Sequence, residues 1–489
     1  MLILSVLFPV ALGLLILLKR VFPKRNVLLA LTGAGLVLTA ALGLATAFGP
    51  EQELFLFSFG KNLDLTFRVD DLGRLFVLVV NVVWVLSGFY SFEYMKHEQE
   101  EQRFFGFYLL VHGILHGLVF SGNLVTFYLF YELMTLLSVP LILHNRSKEA
   151  IKGGLKYLFY SLFGAYLVLF GLFFLNRYAE TLAFLPGGTL NMAAVTGKEG
   201  LLLVVSFSMI LGFGVKAGMF PLHAWLPTAH PVAPAPASAV MSGIIVKMGV
   251  LGMIRVVYYL VGADFLRGTW VQTAWMTLSL ITVFMGSMLA YREKVMKKRL
   301  AYSTVSQASY ILFGLSLLQP AAMTGALLHV VFHAVIKACL FLSAGAIIYK
   351  THKTLVAELR GIGKEMPVTI WCYTFASAAL IGIPPASGFI SKWYLAMGSL
   401  ESGIAVYSWL GPVVLLTSAL LTAGYLLPIT VNGFLPGADY DYEKLEKKEP
   451  SMTMLLPLLL LAAAAVGLGI FPNPLTEFIS RIVSTIFGG

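Results

Sequence analysis

Residues 214–250 read GVKAGMFPLHAWLPTAHPVAPAPASAVMSGIIVKMGV, and this stretch settles what kind of chain this is. An unbroken apolar run, 201–215, leads into Lys216, and within five residues Gly218 and Pro221 interrupt it. A second apolar run then leaves through Lys247. Proline removes a backbone donor and clashes with the preceding turn. Backbone freed in this way at membrane depth is tolerated only inside protein or beside a wet cavity. The arrangement recurs at 380–395, LIGIPPASGFISKWYL, where Pro384, Pro385 and Gly388 lie beside Lys392. Two interrupted helices in corresponding positions predict inverted repeats with a transport site at their interface.

The rest of the composition agrees with a membrane reading. The chain has 489 residues, 58% hydrophobic and 12% charged, against about 25% charged in soluble chains. Mean hydropathy is +0.85. A soluble globule cannot cover that much apolar surface, and disorder, collagen and nucleic-acid binding are excluded as primary readings. Outer-membrane barrels need short alternating strands, not continuous apolar runs. At about 20 apolar residues per crossing, the sequence predicts an all-α polytopic membrane protein of about fourteen transmembrane helices. They fall at 1–18, 27–48, 72–94, 104–121, 123–143, 155–176, 200–226, 237–260, 271–290, 301–318, 322–348, 367–400, 409–433 and 453–471. The first is read as a retained helix rather than a cleaved signal, because it lacks a basic leader and is followed by Lys19, Arg20, Lys24 and Arg25. The polar segment Glu51 to Asp71, with Leu63, Leu65 and Phe67 alternating, reads as a small external hairpin.

Four regions follow: helices 1–3 with the hairpin (1–103), a five-helix unit (104–260), a second five-helix unit (271–433), and a charged loop with the last helix and a short tail (434–489). Of the 34 Lys and Arg, 21 fall in odd-numbered connections and 6 in even-numbered ones and the tail. The positive-inside rule then makes the odd connections cytoplasmic and puts both termini outside a cell membrane.

Ionisable residues inside the spans are functional candidates by default. Glu132 lies in NLVTFYLFYELMTLLSVPLIL (123–143), Lys216 precedes the first break, Lys247 and Lys337 sit mid-span, and Lys392 follows the second break. Each costs about 2.5–3.5 kcal/mol at a helix centre, so their retention points to use. His329, His333 and Lys337 are spaced by four and share one helix stripe. Imidazole titrates near neutrality, and burial moves a lysine towards the same range. A carboxylate near a lysine stabilises its ammonium, so Glu132 is expected to tune Lys216, with Lys247, His329, His333 and Lys337 passing a proton to Lys392. His223 and His230 flank the Trp225-Leu226-Pro227 turn and are candidates for cytoplasmic proton uptake. His112 and His116 lack a neighbouring charge and read as core histidines. Arg255 reads as an interfacial anchor. Cys339 and Cys372 read as small core hydrophobes. No cofactor or metal site is expected.

The motif 214–250, together with HVVFHAVIKACLFLSAG (329–345), IPPASGFISKWYL (383–395) and YELMTLLSVPLI (131–142), resembles the antiporter-like proton-translocating subunits. That family occurs in respiratory complex I, in Mrp-type cation/proton antiporters and in membrane-bound hydrogenase-type complexes. The resemblance covers about 104–433. It implies two inverted five-helix units, broken seventh and twelfth helices, and a central hydrophilic axis. It carries the family's fifth-helix carboxylate onto Glu132, its seventh- and eighth-helix lysines onto Lys216 and Lys247, its eleventh-helix positions onto His329, His333 and Lys337, and its twelfth-helix position onto Lys392. Thr228 stands where the family often has an acid, and the short tail leaves out a long lateral helix.

The expectation is an ion-translocating subunit, moving protons with or without sodium coupling, in a respiratory or antiporter complex. It is not catalytic alone and its partners are other membrane subunits, paralogues included, and the lipid bilayer. The alternatives are a self-sufficient secondary cation/proton antiporter, or a haem or quinone subunit using His112, His116, His329 and His333.

Overall fold

The computed structural model describes residues 1–18, 24–60, 62–438, 440–441 and 445–488; Lys19 and Arg20 lie outside them. The helices are α1 (Leu2–Leu17), α2 (Arg25–Ala47), α3 (Asp71–Tyr94), α4 (Glu101–Val119), α5 (Leu124–Ile142), α6 (Lys148–Tyr178) and α7 (Glu199–Ala217). They continue as α8 (Ala235–Val261), α9 (Trp270–Arg292), α10 (Met296–Ser316), α11 (Pro320–Thr351), α12 (Pro367–Ile381), α13 (Ser387–Leu400), α14 (Ala405–Phe434), α15 (Met452–Ile470) and α16 (Asn473–Phe487). Between α2 and α3 a hairpin of β1 (Glu53–Ser58) and β2 (Asp64–Arg68) pairs Glu53 with Arg68 and Ser58 with Asp64, with a register shift between Phe55 and Phe57. The alternating segment is therefore a hairpin, as its pattern predicts.

Among the described residues, ten helices are long and apolar enough to cross a membrane, and α1 and α12 are shorter apolar helices. Two further long helices, α4 and α10, fall outside those ten. The first carries His112 and His116, and the second a run of hydroxyls from Ser303 to Ser309.

Local chemistry sets the ends of several helices. Asp70 caps α3 by accepting from the Gly73 amide at 2.8 Å, and Asn123 caps α5 by accepting from Thr126 at 2.8 Å. Ser147 does the same for α6 at Ala150. Both predicted interruptions are present. Helix α7 ends at Ala217, with Gly218 left-handed at φ +79°, before the short helix Leu226–Val232. Helix α12 ends at Ile381, with Gly382 left-handed at φ +94°, before α13. Glycine takes this conformation without the strain a side chain meets.

The innermost helices are α8 and α11, whose apolar windows are 100% and 94% buried. They are the two that carry Lys247 and the His329–His333–Lys337 stripe. Helix α8 lies flat against α7 because Gly249 allows it. A Cβ there would sit 2.7 Å from the Phe213 carbonyl oxygen and 3.0 Å from Lys216 Cβ.

One expectation changes. Arg255 is not an interfacial anchor. It is buried, its guanidinium donates to Asp70 (Nη2 to Oδ1, 2.8 Å), and it stacks over Phe184 and Tyr259. Its place near the end of its span makes it look peripheral in sequence, whereas the fold sets it against Asp70, the cap of α3. The short tail also forms a helix, α16, whose Ile479, Ile482, Val483 and Ile486 are buried on one face while Arg481 stays exposed. This is the pattern of an amphipathic surface helix.

Candidate functional site: a buried row of lysines and histidines

The breaks and the two central helices bring most of the predicted residues into three clusters. In the first, Lys216 sits on the last turn of α7, fully buried. Its ammonium donates to Ser161 Oγ at 2.8 Å, Thr135 Oγ1 at 2.9 Å and Tyr157 OH at 3.0 Å. The Tyr157 ring lies 4.3 Å from the nitrogen. Ser138 extends the cluster through a 2.7 Å bond to Tyr157. Trp225 Nε1 donates to the Val215 carbonyl at 2.8 Å, which also accepts from the Gly218 amide where α7 stops.

In the second cluster, Lys247 meets His333 Nδ1 in close contact and donates to the Ser242 carbonyl at 2.6 Å. Ser242 and Thr304 hydroxyls are hydrogen-bonded at 2.7 Å, and Thr304 donates to the Leu300 carbonyl at 3.0 Å. The same carbonyl accepts from Lys337 at 3.1 Å. His329 stacks on His333 with ring centres 5.7 Å apart and meets Ser391 Oγ at 2.9 Å.

The third cluster surrounds the residue after Ser391. Lys392 donates to the Leu380 and Ile381 carbonyls at 2.7 and 2.9 Å, the open acceptors at the end of α12. Its ammonium lies 5.1 Å from the Tyr310 ring, which stacks on His329 at 5.5 Å. Clusters two and three therefore touch, whereas clusters one and two meet through the Gly249 contact without a hydrogen bond among the described residues.

Glu132 does not form the close pair with Lys216 that its sequence position suggests. No ion pair within 4.0 Å joins them, and Glu132 Oε1 is buried without a hydrogen-bond partner. The carboxylate stands on the turn beside Thr135, which holds the lysine instead. His223 is half-buried and stacks on Phe220, apart from the clusters. His230 is fully buried against Phe341, with neither ring nitrogen bonded, and Lys247, Lys297 and Lys337 are the cations that face it. Thr228, at the position the family often fills with an acid, accepts from Lys156 at 3.1 Å.

Several participants escape sequence reading. Thr135, Tyr157 and Ser161 are ordinary helix residues until the fold gathers them on Lys216. Lys297 looks like a loop charge but is buried and donates to the Pro231 carbonyl at 3.2 Å, and to that of Ala233. It lines a cavity of about 180 Å³ with Glu98, Asn145 and Pro234. Burial raises the Glu98 carboxyl above its ordinary range, and the facing lysine opposes that shift. His112 and His116 both meet Asn81 Oδ1, at 2.9 and 2.8 Å, away from the row. Cys339 and Cys372 are free and buried.

Residues 121–422 match the family described as "NADH:quinone oxidoreductase/Mrp antiporter, TM", and 56–105 match "NADH-Ubiquinone oxidoreductase (complex I), chain 5 N-terminus". The chain is 31% identical over 435 residues to NADH-quinone oxidoreductase subunit N of Desulforudis audaxviator, covering 85% of this chain and 83% of the relative. It is 33% identical over 468 residues to hydrogenase-4 component B of Escherichia coli, covering 91% and 67%. It is 29% identical over 491 residues to a Na(+)/H(+) antiporter subunit of Bacillus subtilis, covering 98% and 95%. Its fold matches a chain of the Mrp complex from Dietzia at TM-score 0.85 (21% identity, 99% and 97% covered). It also matches a chain of Thermus thermophilus respiratory complex I at 0.81 (22% identity, 99% and 100% covered). The chain belongs to the NADH:quinone oxidoreductase/Mrp antiporter transmembrane family.

Proposed function

We propose that this chain is an ion-translocating subunit of a multisubunit membrane complex and that protons pass along its buried row. One observation carries the reading. Lys216, Lys247 and Lys337 are buried and Lys392 is half-buried, and none of the four has an ion pair within 4.0 Å among the described residues. A structural role calls for a paired charge, since breaking a buried pair costs about 3–5 kcal/mol. These four amines are instead held by hydroxyls, imidazole and carbonyls, groups suited to amines that gain and lose a proton.

In this reading His230, with Lys297 and the Glu98 cavity, takes up protons from the basic, cytoplasmic face, and His223 serves the same face beside Lys156. Lys247 and Lys337 receive them, His333 and His329 relay them, and Lys392 and Lys216 are the two ends. Glu132 acts on Lys216 through the field it sets across Thr135. The chain crosses a cell membrane fourteen times with both termini outside, α12 and α13 forming one crossing, and 104–260 and 271–433 are inverted units. Neighbouring membrane subunits supply the driving force. Sodium coupling belongs to the same proposal, because the relatives include Na(+)/H(+) antiporter subunits.

The test is Lys216→Ala in the intact purified complex, reconstituted in liposomes. Ion pumping is expected to fall about 100-fold, within the range for loss of a proton-transfer group, with assembly retained. Pumping at the parent rate would contradict the relay.

A further inference from the structure

Helix α10 is long and almost wholly buried, yet it falls outside the ten apolar spans. The Thr304 face of α10 serves the Lys247 cluster described above. Another face carries Arg299, Ser303, Ser306, Gln307 and Tyr310 at helical spacing, which the row of lysines does not use.

That face meets α9 and α14 through hydroxyls. Arg299 Nη1 donates to the Tyr425 carbonyl at 2.8 Å near the basic end of the bundle, where Lys298 pairs with Glu293. Tyr425 OH donates to Ser303 Oγ at 2.7 Å, with Thr422 Oγ1 beside it at 3.3 Å. One turn further, Ser287, Ser306 and Ser418 form a triangle of hydroxyls with edges of 2.8, 2.6 and 3.3 Å. Beyond it Tyr310 OH donates to the Leu415 carbonyl at 2.8 Å, beside Ser418 and Gln307. The Tyr310 ring then carries the Lys392 ammonium. From Arg299 to Tyr310 this runs about 16 Å along the axis at 1.5 Å per residue.

Serines alone are explained by close helix packing. Gln307 is not: it is fully buried at the centre of the string, and both its amide atoms lack a hydrogen-bond partner. Buried amides of this kind are satisfied by ordered water. A hydroxyl or water can accept a proton on a lone pair while releasing its own to the next oxygen.

We propose that this string is a second proton route, joining the basic face of the bundle to Lys392 without passing Lys247 or the histidines. A proton taken up near Glu293 moves through Tyr425, Ser303 and the Ser287–Ser306–Ser418 triangle, then by Gln307-bound water to the Lys392 amine. Each oxygen ends with the same number of protons it began with. Arg299, fixed by bonds to the Tyr425 and Glu293 carbonyls, closes the outer end and positions it.

The proposal rests on the proton-translocating reading above, and the test separates the two. The intact complex is reconstituted with Tyr425→Phe, Ser418→Ala, Ser418→Thr or Lys392→Ala, and proton pumping is measured. Tyr425→Phe and Ser418→Ala are each expected to slow pumping by at least about tenfold, and Ser418→Thr, which puts the hydroxyl back, to restore most of the loss. Parent rates in Tyr425→Phe and Ser418→Ala beside an inactive Lys392→Ala would overturn the string and leave the reading standing. Parent rates in all of them, Lys392→Ala included, would overturn both. Tyr425→Phe loses one oxygen and keeps the ring, so it decides the matter if Ser418→Ala does not assemble.

Discussion

The two broken helices place a lysine at the same kind of interruption and then treat it differently. Lys216 comes before its break, on the last turn of α7, and three side-chain hydroxyls from α5 and α6 hold it. Lys392 comes after its break, on α13, and reaches back to two backbone carbonyls that α12 leaves open. Hydroxyls turn and can both give and take a hydrogen bond. Carbonyls at a helix C-terminus only accept, and the negative end of the dipole favours a cation there. One interruption thus builds an adjustable site and the other a fixed cradle.

Exchanging the cation separates the two sites by the widest margin. Arginine at Lys392 meets two carbonyls that a guanidinium fork can satisfy, so Lys392→Arg is expected to assemble with the parent melting temperature and to lose pumping, because a guanidinium does not release its proton. Arginine at Lys216 must fit a closed pocket sized for an ammonium, where overpacking costs about 1–3 kcal/mol. Lys216→Arg is therefore expected to lose pumping nearly as fully as Lys216→Ala. Lys216→Arg is expected to lower the melting temperature of the complex besides, and equal melting temperatures in the two arginine variants would remove the distinction.

A smaller effect is expected where α7 and α8 touch. Gly249→Ala puts a carbon 2.7 Å from the Phe213 carbonyl oxygen and 3.0 Å from Lys216 Cβ. Separating the helices is expected to lower stability by about 1–3 kcal/mol, read as a lower melting temperature of the detergent-solubilised complex. An unchanged melting temperature would mean the contact yields freely.

The smallest effect concerns the adjustable site itself. Ser161→Ala removes one of three bonds to the Lys216 ammonium. A hydrogen bond to a charged group contributes about 1.5–3 kcal/mol, and the remaining hydroxyls can shift to compensate. Pumping is expected to fall severalfold, and further when Thr135→Ala is combined with it. Additive losses would indicate independent bonds, and a larger joint loss would indicate one cooperative cluster.

Much of this was legible in the residues. Proline and glycine punctuate apolar runs so strongly that both breaks, and the lysines beside them, follow from 214–250 and 380–395. The spacing of His329, His333 and Lys337 fixes their common stripe, because a helix admits only one geometry for steps of four. What sequence could not show depends on which faces meet. Thr135, Tyr157 and Ser161 come from two helices and become a lysine site only when packed. Glu132 lies one turn from Thr135, but its side chain leaves the lysine to the hydroxyl. Arg255 resembles an anchor by its depth, and only the fold shows Asp70 opposite it. The span 301–318 reads as one more crossing, and only the fold gives its Ser, Thr and Gln their partners on α9 and α14.

Proton travel through the buried row narrows to one side chain, His333, which joins Lys247 to His329 and so to Lys392. The decisive measurement is proton pumping by the reconstituted complex carrying His333→Leu together with Tyr425→Phe, which interrupts the hydroxyl string as well, compared with its Tyr425→Phe parent. A loss of about 100-fold is expected, with the complex assembled and Lys247 and Lys392 in place. Pumping at the parent rate and stoichiometry would mean that protons do not take this row.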